Sequence, residues 1–427
     1  MSKVKVASPE PATIRAETVQ ALVDGRMRFH ELPPEIPAAE ATAIRREAVA
    51  RLSGIPLDAI GHYSFDAGTA ATRHCENLIG VAQIPMGIVG PLTIHGDYMD
   101  SEVMVPMATT EGALLASINR GCAALRLAGG ATVYVEDVGM TRAPVFRARS
   151  QREARAFLSW VTEHETEIRE VAEGTSRFLK MTGVKPYVFG TTIFLRFRYT
   201  TGDAMGMNMA TIACDRVVRD LIEPKTGIPC VALSGNYCVD KKAASVNFSE
   251  GRGKRVHAEV VLDAAILRDV LKTDSRSLVE VQYRKNLLGS IAAGAMGYNA
   301  HYANVLSAFF IATGQDPAHV VGGSTGVTCI EPRENGAVYA SIFIPDLPLG
   351  ATGGGTALGT QAEALRVLGV VPDPERPGHA AMRLAEILGG AVLAGELSLM
   401  AAFTSSDLAR AHQRLGRGAA TEGDKNA

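Results

Sequence analysis

With 427 residues, 47% of them apolar and 21% charged, the chain has the make-up of a soluble globular protein large enough for two or three domains. Lys plus Arg number 43 against 45 Asp plus Glu, a balance that lacks the basic footprint of a nucleic-acid or anionic-membrane binder and leaves anion recognition to local groups. The six cysteines (Cys75, Cys122, Cys214, Cys230, Cys238, Cys329) form no C-x-x-C pair and no metal-ligand spacing with the histidines, so reduced thiols in the cytoplasm are expected and a zinc site is not.

The opening segment, MSKVKVASPEPATIRAE, holds no apolar h-region, so neither a signal peptide nor an anchor is expected. IRAETVQALVDG and AEATAIRREAVARLSG carry apolar residues at three and four spacing, which predicts two helices divided by ELPPEIP. ENLIGVAQIPMGIVGPLTIHG, at 76–96, mixes Gly, Pro and aliphatics as short core strands and turns do. TEGALLASINRGCAALRLAG predicts a helix opened by Thr109 or Thr110 as N-cap, with Glu111 inside it. A Glu in that apolar context must be paired, or carry a raised pKa suited to proton donation.

Residues 144–234 have the clearest periodicity. PVFRAR predicts a strand, REARAFLSWVTEHETEIREVAEG a helix, RFLKMT and KPYVFGTTIFLRFRYT two strands, DAMGMNMATIACDRVVRDLIE a helix and PCVALS a last strand. That βαββαβ order is the ferredoxin-like arrangement, which licenses no chemistry by itself. A basic loop follows, SGNYCVDKKAASVNFSEGRGKR, and then a strand VHAEVVL, a helix DAAILRDVLKT and a strand SLVEVQY. From Asn286 to Gln315 there is no charged residue, which predicts one helix of ~45 Å surrounded by apolar material. Asn299, His301, Asn304 and Gln315 are costly in lipid, so a buried central helix is favoured over a membrane span. AVYASIFIPDLPLG predicts a strand, ATGGGTALGTQAEALRVLG a glycine turn into a helix, and 382–415 the last helices, followed by a disordered tail.

Several segments can carry chemistry. DAMGMNM (203–209) opens a helix whose amides favour a pyrophosphate, though a Met-rich helix start also suits core packing. Ser176-Arg177 is compatible with a clamp on a 2′-phosphate or with an ordinary surface Arg. Asp240-Lys241-Lys242 is either solvated or supplies one ammonium to a developing oxyanion. Asp316, at the unfavourable end of a helix, calls for a nearby cation, and His412 is an acid–base candidate or a surface residue.

ENLIG (76–80), PMATTEGALLAS (106–117), GMTR (139–142), DAMGMNM, SGNYCVDKKAA (234–244), EGRGK (250–254), GYNAHYAN (297–304), GQD (314–316) and GELSLMAA (395–402) together resemble 3-hydroxy-3-methylglutaryl-coenzyme A reductase, in its class I form. The resemblance implies an α+β fold: a large domain (80–143 and 233–427) around the long buried central helix, an inserted ferredoxin-like small domain (144–232), and a helical N-terminal domain (1–79). It implies reduction of the thioester HMG-CoA to mevalonate and CoA in two hydride transfers from NADPH. Lys241 would stabilise the oxyanion, Glu111 would donate protons, Asp316 would tune both, and His412 would protonate the CoA thiolate; a thiol near ~8.5 and an imidazole near ~6.5 exchange protons readily.

By the same resemblance, Arg142, Ser234, Asp240, Lys242, Lys285 and Asn304 grip the hydroxymethylglutaryl group, and Ser117, Asn119, Arg120 and His301 take CoA. Asp203, Met205, Gly206, Met207 and Asn208 carry the dinucleotide, with Ser176 and Arg177 favouring NADPH; no metal is implied. Substrate and cofactor groups meet across a subunit interface, which implies a dimer, doubled to a tetramer. Gly418 stands where animal relatives carry a regulatory Ser, and without their membrane region a soluble, cytoplasmic prokaryotic enzyme is expected.

Overall fold

The computed structural model describes residues 11–404 and divides into two compact units. The first runs to Pro85 and takes in Ala357–Thr360. Its helices Pro11–Val23 and Ala38–Ser53 share a core of Val19, Leu22, Ile44 and Ala48. A shorter helix, Ala67–Arg73, is opened by Asp66, whose carboxylate accepts the Thr69 amide at 2.7 Å. That bond satisfies an amide the helix cannot use itself.

The second unit is a mixed α/β fold on a largely antiparallel sheet. Its strands are β1 (Met86–His95), β2 (Asp100–Ala108), β3 (Ala131–Arg142), β4 (Val145–Arg147), β5 (Lys180–Phe189), β6 (Thr192–Thr200), β7 (Cys230–Ala232), β8 (Arg252–Leu262), β9 (Val327–Pro332) and β10 (Val338–Leu347). The path is β7-β4-β6-β3-β8-β10-β9, with β1 on β2 and β3, and β5 on β6. β3 serves both ends: residues 132–139 pair with β8, and Met140, Thr141 and Arg142 pair with β6. In β8, Val256, Ala258, Val260 and Leu262 are buried while His257, Glu259 and Val261 face outward, the alternation a half-covered sheet imposes.

The helix His379–Thr404 covers the inner face, packing on β1, β3, β8 and β10, with 21 of its 26 residues buried. Among the described residues it is the helix long and apolar enough to cross a membrane, and 83% of its apolar window is buried inside the protein. Helix Leu114–Leu127 crosses it closely at Gly121, where a Cβ would stand 1.9 Å from the Ala394 carbonyl oxygen. Glu386 is buried on the same helix, accepting the amides of Asp97 at 2.9 Å and Tyr98 at 3.1 Å. Burial pushes its carboxyl up to about 7 against the pull of those amides. A folded-state pKa above the unfolded 4.5 means stability from this group is complete below pH ~4.5 and lost as pH rises through about 7. Glu386→Gln should therefore flatten the decline of Tm between pH 5 and 8; parallel Tm–pH curves for the two proteins would contradict this.

The long uncharged stretch at 286–315 is not one helix. Helical backbone from Gln282 to Ala293 stops at Gly294, φ 69°, and a separate helix runs Tyr302–Thr313. The carboxyl group of Glu396 takes the amides of Ala300 (2.9 Å) and His301 (2.7 Å), and Asn299 Nδ2 donates to the carbonyls of Ser324 and Gly326. These partners draw the backbone out of a helical ladder, and the long buried helix is His379–Thr404 instead.

Other expectations also shift. The helix expected to open at Thr109 or Thr110 begins at Leu114, after Ala113 at φ 72°. SLVEVQY is helical over Ser275–Val281, capped by Asp274 on the Ser277 amide. The helix expected from Arg152 is two, Gln151–Glu163 and Glu165–Glu173, divided at His164. The long strand expected from Lys185 to Thr200 is instead split by a turn at Gly190, φ 63°, and β5 starts at Lys180.

Candidate active site

The loop 234–244 carries Lys241 in a backbone conformation that L-residues resist. Asn236, Val239 and Lys241 have φ of 64°, 50° and 57°, and a β-branched Val there is held only by surrounding bonds. Asn247 Nδ2 donates to the Val239 carbonyl at 3.1 Å, Thr141 Oγ1 to the Cys238 carbonyl at 3.0 Å, and Arg252 Nη2 to Asp240 Oδ1 at 2.7 Å. Lys242 Nζ turns back to the Asp240 carbonyl at 3.2 Å. Lys241 Nζ is left facing Asp316 Oδ2 at 2.8 Å, half-exposed and open to a ligand.

Asp316 stands just past Gly314 (φ 71°), which ends the Tyr302–Thr313 helix, and caps the next turn by accepting the Ala318 amide at 3.0 Å. Partial burial pushes its carboxyl upward, but the Lys241 ammonium and the Ala318 amide outweigh that and hold it below the usual range. Beneath the pair lies a buried charged layer. Arg252 reaches Asp240 at 2.7 Å, Asp346 at 3.8 Å and the Met207 sulfur at 3.0 Å. Asn247 donates to Asp346 at 2.8 Å, burial pushes the Asp346 carboxyl up to about 6, and His319 fills the space between Asp240 and Asp316.

The expected proton donor is elsewhere. Glu111 is exposed in the turn before its helix, not buried inside it, and its Oε1 accepts from Asn304 Nδ2 at 3.1 Å. Asn304 is in the first turn of Tyr302–Thr313 and Asp316 lies beyond the last. Nine residue steps of helical rise, about 14 Å, separate Asn304 from Thr313, and Asp316 lies three residues beyond. Within one chain, Glu111–Asn304 and Lys241–Asp316 are thus two separate pairs near opposite ends of that helix.

Lys285 Nζ donates to Asn286 Oδ1 at 3.3 Å and lies 5.1 Å over the Phe403 ring. Burial pushes the Lys285 ammonium down, with Glu396 opposing. His301 is buried, with Nε2 unpartnered. Ser117 Oγ and Arg120 Nε both donate to Ser398 Oγ, at 2.9 and 3.0 Å, and Asn119 Oδ1 accepts from the Gly90 amide at 2.8 Å. These three stitch Leu114–Leu127 to its neighbours. Arg142, at the end of β3, has a buried Nε without a partner, and Ser234 Oγ is 3.5 Å from Cys238 Sγ. His412 and Gly418, with the tail, lie outside the described residues.

The dinucleotide candidates form a cradle. Gly206 (φ 97°) precedes the helix Met207–Val217, whose first amides have no side-chain cap, and a Cβ on Gly206 would stand 2.4 Å from Thr201 Oγ1. Uncapped amides at the start of an eleven-residue helix suit a phosphate group. Asp203 is held by the Ala381 amide on its Oδ1 at 3.0 Å and by the Ala351 amide on its carbonyl at 2.8 Å. Gly350 has room for no side chain, since its Cβ would meet the Met205 nitrogen at 2.4 Å. Met207 is buried and Asn208 exposed. Ser176 accepts the Phe178 amide, and Arg177 lies 4.5 Å over the Phe178 ring, whose Cβ lies 3.9 Å from the position of a Cβ on Gly202. The 350–355 loop, next to Asp203, and the Arg252–His319–Asp346 layer are absent from the expected site. Gly353-Gly354-Gly355 and EGRGK were visible signals for two of these; His319 offered none.

A model of the family described as hydroxymethylglutaryl-coenzyme A reductase matches residues 41–417. The relative named 3-hydroxy-3-methylglutaryl-coenzyme A reductase from Methanothermobacter thermautotrophicus is 50% identical over 398 residues, 93% of this chain and 98% of its own. One of the same name from Pyrococcus abyssi is 46% identical over 404 residues, 94% of this chain and 99% of its own. A structure of the class II enzyme from Streptococcus pneumoniae, described as bound to NADPH in open conformations, superposes with a TM-score of 0.64 at 17% identity, covering 95% of this chain and 100% of that one. At that identity the likeness is one of fold.

Proposed function

The chain belongs to the hydroxymethylglutaryl-coenzyme A reductase family, and on that premise we propose that it reduces HMG-CoA to mevalonate and CoA with NADPH, in the mevalonate route to isoprenoids. The observation that carries the chemistry is the Lys241–Asp316 pair, 2.8 Å apart and half-open to solvent, with Lys241 on a strained loop. NADPH, when bound, supplies hydride. Lys241 neutralises the negative charge that develops on the substrate oxygen, and Asp316 keeps the ammonium aimed. Glu111 donates the proton to that oxygen, and His412 protonates the departing thiolate. Arg142, Ser234, Asp240, Lys242, Lys285 and Asn304 hold the acyl group, with Ser117, Asn119, Arg120 and His301 toward CoA. The cradle of Asp203, Met205, Gly206, Met207 and Asn208, bordered by the 350–355 loop, holds the dinucleotide, with Ser176 and Arg177 at the 2′-phosphate.

Because the Glu111–Asn304 and Lys241–Asp316 pairs sit near opposite ends of the Tyr302–Thr313 helix, the working site is read as shared: Glu111 and Asn304 from one protomer, Lys241 and Asp316 from another. The unit is then a dimer, doubled to a tetramer. The strand order β7-β4-β6-β5, with βαββαβ connection, supports reading 144–232 as a ferredoxin-like dinucleotide domain inserted between 80–143 and 233–427, after an N-terminal helical domain at 1–79. DKK at 240–242 and GYNAHYAN at 297–304 support the class I form. The cytoplasm is the proposed location, in keeping with a hydrophobic helix that is buried in the core.

Purified protein with HMG-CoA and NADPH should oxidise the cofactor; no oxidation with either NADPH or NADH would sink the reading. Arg177→Ala should shift the NADPH:NADH ratio of kcat/KM toward NADH by about tenfold or more, the loss of one charge-assisted bond of about 1.5–3 kcal/mol.

A further inference from the structure

We infer that His319 is a positioning residue for Asp316: a second donor, behind the carboxylate, that holds it in place when Lys241 turns to the substrate oxygen. The inference rests on the Lys241 reading above. His319 is 1% exposed, on the short turn that Asp316 caps. Its Nε2 lies 3.9 Å from Asp316 Oδ2 and its Nδ1 3.9 Å from Asp240 Oδ1. Nε2 is buried and makes no hydrogen bond. Leaving a buried ring nitrogen unpaired costs about 1–3 kcal/mol, and a shift of about 1 Å brings it within bonding range of Asp316.

The surrounding charges explain why a neutral donor is used. The groups facing His319 are Asp316 on its own turn, Asp240 and Lys241 on the 234–244 loop, and Arg252 on β8, with Asp346 of β10 behind Arg252. Burial first, then Arg252, pushes the imidazole down to about 4, although both aspartates oppose that. At neutral pH the ring carries one N–H. Asp240 already has the Arg252 guanidinium at 2.7 Å, so the proton is of most use on Nε2, toward Asp316. A neutral ring there adds a hydrogen bond without adding a cation to compete with Lys241. It also keeps the two carboxylates apart.

The test compares His319→Leu, which has no donor, with His319→Gln, whose amide reaches a similar point. Both are measured for kcat, KM of HMG-CoA and NADPH, Tm, and the pH dependence of kcat. His319→Leu should lose tenfold or more in kcat with both KM values within about twofold. Its acid limb should move to higher pH, because Asp316 without the second donor protonates more readily. His319→Gln should recover kcat to within about threefold. A residue that only fills space would lower Tm and leave the acid limb where it is. Unchanged kcat and acid limb in Leu, or equal losses in Leu and Gln, overturn the inference. If Leu does not fold, His319→Asn, too short to reach Asp316, takes its place with the same expectations. An inactive wild-type protein would instead overturn the proposed reaction, so the two failures are distinct.

Discussion

Lys241→Ala is expected to lower kcat by about 10²–10³-fold or more while the protein stays folded, the scale set by loss of one pre-aligned group at a developing oxyanion, about 3–4 kcal/mol. The structural cost is small by comparison. Lys241 and Asp316 are 42% and 35% exposed, and pairs of that kind contribute about 0–1 kcal/mol to stability. The two effects therefore separate cleanly: turnover collapses and Tm moves by a degree or two. Steady-state rates together with thermal unfolding check this, and a variant with near-normal kcat would remove Lys241 from the chemistry. The shared-site reading adds a sharper consequence. Lys241→Ala and Glu111→Gln chains, each inactive alone, should regain activity when unfolded and refolded together, since mixed dimers hold one site with both groups intact. Additive residual rates, with no recovery, would place a complete site in each chain and contradict the shared-site reading.

Arg252→Met is expected to destabilise the protein by about 3–5 kcal/mol. Arg252 is fully buried and faces Asp240 at 2.7 Å and Asp346 at 3.8 Å. Removing it leaves the buried Asp346 and the partly buried Asp240 without their cation, and that unpaired charge outweighs the apolar packing gained from Met. Adding Asp346→Asn to Arg252→Met should return part of the loss, because the neutral amide no longer needs a cation while Asn247 still bonds it. Urea or thermal unfolding of the wild type, the single variant and the double variant measures this. Equal stability of wild type and Arg252→Met would mean that the buried layer is held by packing alone. Activity should fall as well, since the same guanidinium ties down the loop that presents Lys241.

The parts of this fold that can be read from the chain are those whose cause is local. The alternation in VHAEVVL marks the later part of β8 because one sheet face is covered, while its start at Arg252, read as loop, shows no alternation; the three-and-four spacing marks the first two helices. The misreadings have distant causes. Glu396 breaks the 286–315 helix by taking amides some 95 residues away in sequence. SLVEVQY alternates like a strand, yet Asp274 caps it as a helix. His319 has no sequence signal because its meaning depends on two carboxylates from different elements.

Sequence alone determined the family, through nine ordered motifs, and the acids, amines and glycines proposed for the chemistry, since residue type is a property of single positions. It also determined which segments alternate and which wind, because those periods are set within a few residues. Only the tertiary structure decided which groups meet: Lys241 with Asp316, Glu111 with Asn304, and the two pairs at opposite ends of one helix. Distance between side chains far apart in the chain is fixed by packing, and packing is a property of the whole core.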